Sequence, residues 1–293
     1  MTIHVPATSA NLGPGFDTLG IAIELENKVT ITKSKFFSLS IKGEGSDRKR
    51  FKNNNLFVHI FYKIYTQLNQ RRDNFRFKFF NEIPISRGLG SSSAIITSAV
   101  AAAYYLHNKE TDKNIIVNKS LSFENHPDNI APAVHGGFTV SIVENEKVYT
   151  QKKNIPDFLR AVVVIPRHPM STAKSRNILP KEYNIKDIVY NVSRSSFLTA
   201  TILNENWELL RIASKDKLHQ DMRMSSMKEL YSVQKCALEN GALMSTLSGS
   251  GSSFFNMVYK DDVKNIVNTL KIQFPHFRIE SFAFNNIGLK VNF

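Results

Sequence analysis

The residues with the clearest chemical potential in this sequence form a glycine- and serine-rich segment. It reads Ile83-Pro84-Ile85-Ser86-Arg87-Gly88-Leu89-Gly90-Ser91-Ser92-Ser93-Ala94. Glycine lets the backbone approach a ligand closely, and N–H groups at a helix N-terminus bind anions. Serine hydroxyls can donate to phosphate oxygens or ligate Mg²⁺. The segment therefore predicts a phosphate-binding loop, although it has neither the Walker A lysine nor the G-x-G-x-x-G spacing.

A plainer interpretation of the same segment is a helix cap, with Ser91 or Ser92 capping the helix after a tight turn. Two further glycine-containing segments bear on this choice. One is Asn11-Leu12-Gly13-Pro14-Gly15-Phe16-Asp17 and the other is the run from Ser245 to Ser253. Separately they suggest an Asx turn and a hairpin loop. Because the chain has only 13 glycines, three such loops predict convergence on one site.

The surrounding pattern predicts a strand before the phosphate loop and a helix after it. Phe75, Phe77 and Phe79 alternate with basic residues, which is typical of a strand that delivers the chain to Pro84. Residues 92–106 are rich in alanine and isoleucine and contain no Gly or Pro, which favours a buried helix.

The rest of the chain alternates between strand and helix patterns. Further strands are predicted at about 18–25, 28–34, 39–41, up to 143, 161–165, 242–248, 254–259 and 279–284. Further helices are predicted at about 56–68 behind a cap at Asn54 or Asn55, 112–123, from 127, 185–203 and 226–240. This is an α+β pattern, and it predicts two lobes, 1–150 and 151–293, with a soft boundary.

Composition and charge limit the class of protein. With 293 residues, 42% of them hydrophobic, the chain can build a sizeable core. The single cysteine, Cys236, excludes an intramolecular disulfide, and the N-terminus has no secretory signal pattern. The apolar stretch 94–106 is too short to span a membrane. We therefore predict a cytoplasmic protein that does not bind membranes.

The net charge of +13 suits either nucleic acid or small anionic substrates. The basic clusters, Arg48-Lys49-Arg50 and Arg71-Arg72, are short, and no zinc-finger or RNA-binding signature accompanies them. We interpret them as solvated surface and do not predict nucleic-acid binding as the main role.

Four segments, in order along the chain, resemble one known family. The run from Val5 to Gly20 closely resembles the N-terminal signature of homoserine kinases, which belong to the GHMP kinase superfamily. Pro84 to Ala94 resembles the superfamily's ATP loop, and Ser248 to Ser253 its third motif. His126-Pro127-Asp128-Asn129-Ile130-Ala131-Pro132-Ala133, followed by Gly136-Gly137-Phe138, is similar to the family's substrate segment. In the third motif Ser250 and Ser252 stand where relatives commonly have Ala and Pro.

The resemblance implies a fold and an activity. The fold is the two-lobed GHMP kinase fold, with a left-handed βαβ crossover in the N-terminal ATP-binding lobe, against the general right-handed rule. The C-terminal lobe carries helices on an antiparallel sheet, and the family suggests a homodimer. The implied activity is ATP- and Mg²⁺-dependent phosphorylation of the side-chain hydroxyl of L-homoserine, a step of threonine biosynthesis.

Homoserine is a zwitterion with a side-chain hydroxyl, so its site needs a cation, an acceptor for the ammonium and a partner for the hydroxyl. The resemblance implies Arg176 and Arg223 at the carboxylate, where the planar guanidinium fork suits that partner. Asp17 is the expected partner of the ammonium, with Asn11 sharing the site. Without the resemblance, each arginine reads as a surface helix charge.

His126 and Asn129 are implied at the reacting hydroxyl and are the expected catalytic residues. Many GHMP kinases have an aspartate at the position of Asn129, and an amide cannot take a proton at neutral pH. Asp128 reads as the cap of the helix that begins there. We therefore expect positioning, metal charge and electrostatic stabilisation to provide most of the rate.

The expected Mg²⁺ ligands are Ser92, or its neighbour Ser91, together with Glu124. Relatives often carry their metal-binding glutamate about eleven residues before the position of Asn129, where this chain has Asn118. Glu124 is the one glutamate between Glu110 and Asn129, which is why the role passes to it.

Two other functions remain open at this stage. One is a GHMP kinase for another small alcohol, such as mevalonate or shikimate, against which Asn11, Asp17 and the segment 126–129 argue. The other is a relative that has lost catalysis and binds RNA or a ligand. The intact phosphate loop and both arginines argue against that loss.

Overall fold

The computed structural model describes residues 1–293, apart from the side chains of 172 and 173. The strands are β1 Thr2–Ala10, β2 Leu19–Lys33, β3 Ser38–Gly43, β4 Phe75–Asn81, β5 Phe138–Glu144, β6 Lys147–Lys153, β7 Leu159–Ile165, β8 Met244–Leu247, β9 Phe254–Tyr259, β10 Arg278–Phe282 and β11 Lys290–Asn292. The helices are α1 Lys49–Asn53, α2 Leu56–Asn69, α3 Ser91–His107, α4 Lys113–Leu121, α5 Pro127–His135, α6 Thr172–Asn177, α7 Ile185–Leu203, α8 Leu210–Ala213, α9 Gln220–Met224, α10 Glu229–Glu239 and α11 Val263–Gln273. Short 3₁₀ turns lie at Trp207–Leu209 and Lys260–Asp262.

The strands form two sheets. The first has the order β11-β1-β2-β4-β3, with β5 pairing to β2 and β6 to β5. The second has the order β10-β7-β9-β8, and its pairs are antiparallel. In the first sheet β3 and β4 are parallel neighbours joined through α1 and α2, which is a βαβ unit. The predicted α+β class, with helices on an antiparallel sheet in the C-terminal part, is confirmed.

The two sheets do not divide the chain at a single point. Strand β6 runs through residue 150, where the sequence predicts the lobe boundary, and pairs with β5. The C-terminal strand β11 returns to pair with β1 in the first sheet. The ends of the chain are thereby joined in one sheet, and the boundary between the lobes stays a prediction.

Strand β1 is central to the first sheet, yet the sequence patterns do not predict it. Its residues from Val5 to Ala10 are all buried, so the strand lacks the alternation of polar and apolar residues that marks a half-exposed strand. It also contains Pro6, and its register with β2 shifts between Pro6 and Ala7. A bulge tolerates proline because the ladder is already interrupted there.

Helix α2 and strand β4 build the core beneath the phosphate loop. The Asn55 side chain caps α2 by accepting a hydrogen bond from the N–H of Val58 at 3.1 Å, as the sequence predicts. The ring centroid of Phe77 lies 5.6 Å from that of Phe57 and 5.3 Å from that of Phe61, both edge-on. This aromatic packing fixes the strand that leads into the loop.

In the described part of the chain, no helix is long and apolar enough to cross a membrane.

We expect Phe77→Ala to lower the free energy of unfolding by about 3–5 kcal/mol, because it leaves a cavity in a well-packed aromatic core. Phe80, in the same strand, is 43% exposed and provides a matched control. Phe80→Ala should cost less than about 1 kcal/mol. Urea unfolding followed by circular dichroism measures both variants, and equal losses would contradict the packing described for β4.

Candidate active site

The three glycine-containing loops meet at one cavity of about 370 Å³. The N–H of Gly249 donates to the carbonyl of Ala10 at 3.1 Å, which joins the third loop to the first. The Ser248 hydroxyl donates to the carbonyl of Gly88 at 2.7 Å, which joins the third loop to the phosphate loop. The convergence that the sequence predicts is therefore present, and loops from both halves of the chain contribute to the cavity.

The glycines of the phosphate loop are required by these close approaches. Gly88 and Gly90 have φ values of 76° and 69°, a region that side chains rarely adopt. A Cβ atom on Gly88 would lie 2.0 Å from the carbonyl oxygen of Ser248, and one on Gly90 would lie 2.0 Å from Thr8 Oγ1. Gly90 is the N-cap of α3, so the alternative that Ser91 or Ser92 serves as the cap is wrong.

Most of the predicted phosphate-loop residues line the cavity. They are Ile85, Ser86, Arg87, Gly88, Gly90, Ser91, Ser92 and Ser93. Pro84 is instead buried, and Leu89 and Ala94 belong to the hydrophobic core. Those three residues support the loop from beneath. Their placement leaves the glycines, the serines and the start of α3 facing the cavity.

The Arg87 side chain is engaged by the protein itself. Its Nε donates to the carbonyl of Pro166 at 2.8 Å and its Nη1 to that of Ile85 at 3.0 Å, and Nη2 donates to the carbonyl of Arg167. Burial lowers the pKa of Arg87. The guanidinium thus ties the phosphate loop to the segment after β7.

Asp17, expected to bind the substrate ammonium, and Arg176, expected to bind the substrate carboxylate, form an ion pair with each other. Arg176 Nη2 donates to Asp17 Oδ1 at 2.8 Å and Nη1 to Oδ2 at 3.1 Å, a bidentate ion pair. His126 Nδ1 lies 3.3 Å from Asp17 Oδ2. Burial lowers the pKa of His126, which favours the neutral form of the ring beside this carboxylate.

Arg223 is a buried cation beside this pair. It is only 2% exposed, and its Nη1 donates to the carbonyl of Gly249 at 3.0 Å. His219 Nδ1 lies 3.2 Å from the same nitrogen. Burial, and then the charge of Arg176, lower the pKa of Arg223 to about 10, so it stays protonated at neutral pH. The alternative interpretation as a surface charge is wrong for this residue.

Asn11 also lines the cavity, but both ends of its amide are hydrogen-bonded to the protein. Nδ2 donates to the carbonyl of Gly249 at 3.0 Å, and Oδ1 accepts the N–H of Asp17 at 3.0 Å. Asp17 has a φ of 57°, so its backbone needs such support. In this structure Asn11 therefore orients Asp17 and braces the third loop.

Asn129 lies at the start of α5, between a hydroxyl and a carboxyl group. Its Oδ1 accepts a hydrogen bond from Thr8 Oγ1 at 2.7 Å, and its Nδ2 lies 3.4 Å from Asp128 Oδ1. The first contact fixes which end of the amide remains for other partners. Both Asn129 and His126 line the cavity.

Asp128 is not the cap of α5, because His126 occupies the N-cap position. Asp128 is 5% exposed and lines the cavity. Burial, followed by the negative charges of Asp17 and Glu124, raises its pKa from 3.8 to about 7. The sequence interpretation of this residue as a helix cap missed a titratable group in the site.

Glu124 contacts Ser93 of the phosphate loop, whereas the expected Mg²⁺ ligand is Ser92 or its neighbour Ser91. Ser93 Oγ donates to Glu124 Oε2 at 2.6 Å, whereas Ser92 is exposed at the cavity. Burial raises the pKa of Glu124. A carboxylate beside loop hydroxyls offers the hard oxygen donors that Mg²⁺ prefers. Asn118 instead accepts the N–H of Val148 at 2.7 Å and holds strand β6.

One part of the cavity lining, made of four apolar and three polar residues, was not found by the sequence patterns. Its lining residues are Ile41, Arg50, Phe51, Asn55, Leu56, Phe79 and Asn81. These residues come from β3, α1, β4 and the start of α2 with its cap. No single segment of the sequence therefore carries a pattern that predicts this part of the cavity. Arg50, interpreted from sequence as solvated surface, has its Cζ 5.0 Å from the centroid of the Phe51 ring. In the sequence, the adjacent Arg50 and Phe51 were the available signal for this part of the cavity.

Comparison with known proteins identifies the family. The family described as GHMP kinases N terminal domain matches residues 55–137, and GHMP kinases C terminal matches residues 198–276. The chain is 58% identical over 289 residues to a homoserine kinase from Nitratiruptor sp., covering 99% of each chain. It is 54% identical over 291 residues to that from Campylobacter concisus, again covering 99% of each chain.

Solved structures share the fold. A homoserine kinase from Cytophaga hutchinsonii superimposes with a TM-score of 0.88 at 25% identity, covering 100% of this chain and 97% of that one. A mevalonate kinase from L. major gives 0.73 at 15% identity, covering 96% and 95%, a likeness of fold alone. Because the identity to the curated relatives extends over nearly the full length of both chains, this chain belongs to the homoserine kinase family of GHMP kinases.

Proposed function

We propose that this kinase transfers the γ-phosphoryl group of ATP to the side-chain hydroxyl of L-homoserine, forming O-phospho-L-homoserine for threonine biosynthesis. The observation that carries the proposal is the placement of Asp17, Arg176 and Arg223 in the same cavity as the phosphate loop. That set matches an amino-acid zwitterion held beside a phosphate donor. The relatives at 52–58% identity are homoserine kinases, which supports the same substrate.

The ion pair between Asp17 and Arg176 is already the charge pattern that a zwitterion can replace. The substrate ammonium takes the place of the guanidinium beside Asp17, and the substrate carboxylate takes the place of Asp17 beside Arg176 and Arg223. Each charge in the cavity thereby keeps an opposite partner, so neither is left desolvated and unpaired. A ligand that lacks one of the two charges leaves one group of the pair without a partner and should bind more weakly.

For ATP, the apolar side chains that β3, α1, α2 and β4 contribute to the cavity suit the base, and the N–H groups at the start of α3 suit the phosphates. Glu124 and the serines of the loop would hold Mg²⁺, which supplies positive charge to the β- and γ-phosphates. The oxygen donors described above fit that ion.

For the reacting hydroxyl, Asn129 provides orientation through the amide that Thr8 fixes. His126 is neutral and holds Asp17, so we assign it to positioning the substrate ammonium. A loose transition state for phosphoryl transfer needs little help from a base. Positioning and charge therefore account for most of the catalysis, with the proton leaving to phosphate or solvent.

A cytoplasmic location is supported by the use of ATP and by the single free cysteine, Cys236, which is buried. The homodimer that the family resemblance implies stays a prediction.

We expect Arg176→Ala to raise the KM for homoserine by about 100-fold, because the bidentate cation is lost and Asp17 is left without its partner. The KM for ATP should change by less than about threefold. Arg278→Ala is the control, since Arg278 makes a similar contact with Glu280 at 2.8 Å on strand β10. A defect selective for ATP, measured by coupled ADP release, would overturn the assignment of Arg176.

Glu124→Gln should raise the Mg²⁺ concentration for half-maximal activity by about tenfold or more, because a metal-binding carboxylate becomes a neutral amide. Calorimetric titration of the protein and ADP with Mg²⁺ gives a second measure that does not depend on turnover. Glu208→Gln is the control, because Glu208 accepts the Tyr259 hydroxyl at 2.7 Å. An unchanged Mg²⁺ requirement in Glu124→Gln would remove Glu124 from the metal site.

Asp128→Asn should stabilise the protein above neutral pH and remove part of its pH dependence. The folded-state pKa of Asp128 is about 7 and its ordinary value is 3.8, so the folded protein holds the extra proton between these values. The contribution of Asp128 to wild-type stability must therefore fall as pH rises from about 4 to about 7. At about pH 8 the variant should be more stable by on the order of 3 kcal/mol, a difference that disappears near about pH 4.

Urea unfolding across this pH range tests the prediction, with Asp157→Asn as the control at an exposed carboxylate. Equal pH slopes for wild type and Asp128→Asn would show that Asp128 is not a buried, protonated group.

A further inference from the structure

The ring of Phe16 contacts both arginines that are proposed to bind the substrate carboxylate. The Cζ atoms of Arg176 and Arg223 each lie over its ring, 5.2 Å from the centroid. The ring of His219 is also 5.2 Å away, tilted by 35°. A cation at this distance is attracted by the negative face of an aromatic ring. One side chain therefore attracts both guanidinium groups.

The two arginines need such a partner because they repel each other. The charge of Arg176 is one of the causes that lower the pKa of Arg223, which shows that the two are electrostatically coupled. Arg223 is held by backbone carbonyls of Gly249 and, at 3.4 Å, Ser175. Among the ion pairs of the described residues, Arg176 takes part in one, which it forms with Asp17. When the substrate ammonium takes over Asp17, Arg176 needs another contact to keep its position.

Phe16 can provide that contact because its loop is fixed from both sides. The N–H of Gly15 donates to the carbonyl of Asn11 at 2.9 Å, within the loop. From the C-terminal half of the chain, Asn191 Nδ2 donates to the carbonyl of Pro14 at 2.8 Å, and His219 Nε2 lies 2.8 Å from the carbonyl of Gly13. The ring of Phe16 is half-buried in this framework.

We propose, on the basis of the function proposed above, that Phe16 is a positioning residue that aligns Arg176 and Arg223 for the carboxylate of homoserine. It does so through the face of its ring, while the two arginines and Asp17 line the cavity. Its role is distinct from that of the adjacent Asp17, which contacts Arg176 through its carboxylate.

Replacement of the ring by an aliphatic side chain tests this role. We expect Phe16→Leu to raise the KM for homoserine by about tenfold, with kcat and the KM for ATP within about twofold of wild type. Homoserinol carries an alcohol in place of the carboxylate, so it makes no ion pair with the arginines that the ring aligns. The activity with homoserinol should therefore be the same in Phe16→Leu as in the wild type. A general disturbance of the loop would weaken both substrates equally and would overturn the proposal.

Phe16→Leu can also perturb folding, so a series of fluorinated phenylalanines at position 16 provides a second test. Fluorination weakens the negative face of the ring and leaves its shape nearly unchanged. The KM for homoserine should rise with each added fluorine, while the melting temperature stays constant. A KM that does not change along the series would overturn the proposal.

Tyr190→Leu is the matched control, because the ring of Tyr190 also has two cations over it. Arg194 lies 3.2 Å and Lys217 4.8 Å from its centroid. We expect the KM for homoserine to be unchanged in this variant, and an equal rise would overturn the specific role of Phe16.

Wild-type protein that released no ADP with homoserine would overturn the proposed function. Normal wild-type activity with an unaffected Phe16→Leu would overturn this inference alone.

Discussion

The site depends on how closely distant parts of the chain approach the backbone at two glycines. At Gly88 the carbonyl of Ser248 occupies the place of a side chain, and at Gly90 the Thr8 hydroxyl does so. These contacts bring the third loop and strand β1 against the phosphate loop. The Ser248 hydroxyl and the Gly249 N–H then add hydrogen bonds across the junction. A cavity shared by both halves of the chain is the direct result.

Charges gathered in this cavity explain why its surroundings are so fully hydrogen-bonded. Arg223 is almost completely buried, and a buried cation is tolerated only with several partners. Backbone carbonyls, His219 and the ring of Phe16 provide them. Asn11 in turn fixes Asp17 by accepting its N–H. The charged groups are thus oriented before the substrate arrives, which reduces the reorganisation that binding requires.

Two adjacent residues of the cavity, Asp128 and Asn129, are held in different ways. Asn129 is fixed by Thr8, whereas the pKa of Asp128 is raised to about 7 by burial and by two neighbouring carboxylates. A carboxyl group whose pKa is raised in this way contributes less negative charge to the cavity at neutral pH than an ordinary aspartate. This arrangement agrees with catalysis that relies on orientation and on positive charge.

The sequence by itself determined the elements whose signals are local. Helix α7 and strand β9 lie where the hydrophobic patterns predict them, and the four family segments contain the phosphate loop, Asp17 and His126 of the cavity. Strand β1 escaped prediction because it is buried on both faces and carries Pro6 at a bulge. Only the tertiary structure decided that Ser93 contacts Glu124, that Asp128 faces the cavity and that Phe16 joins two arginines. Each of these facts is a contact or a burial created by packing between distant segments, and a linear pattern does not record such contacts.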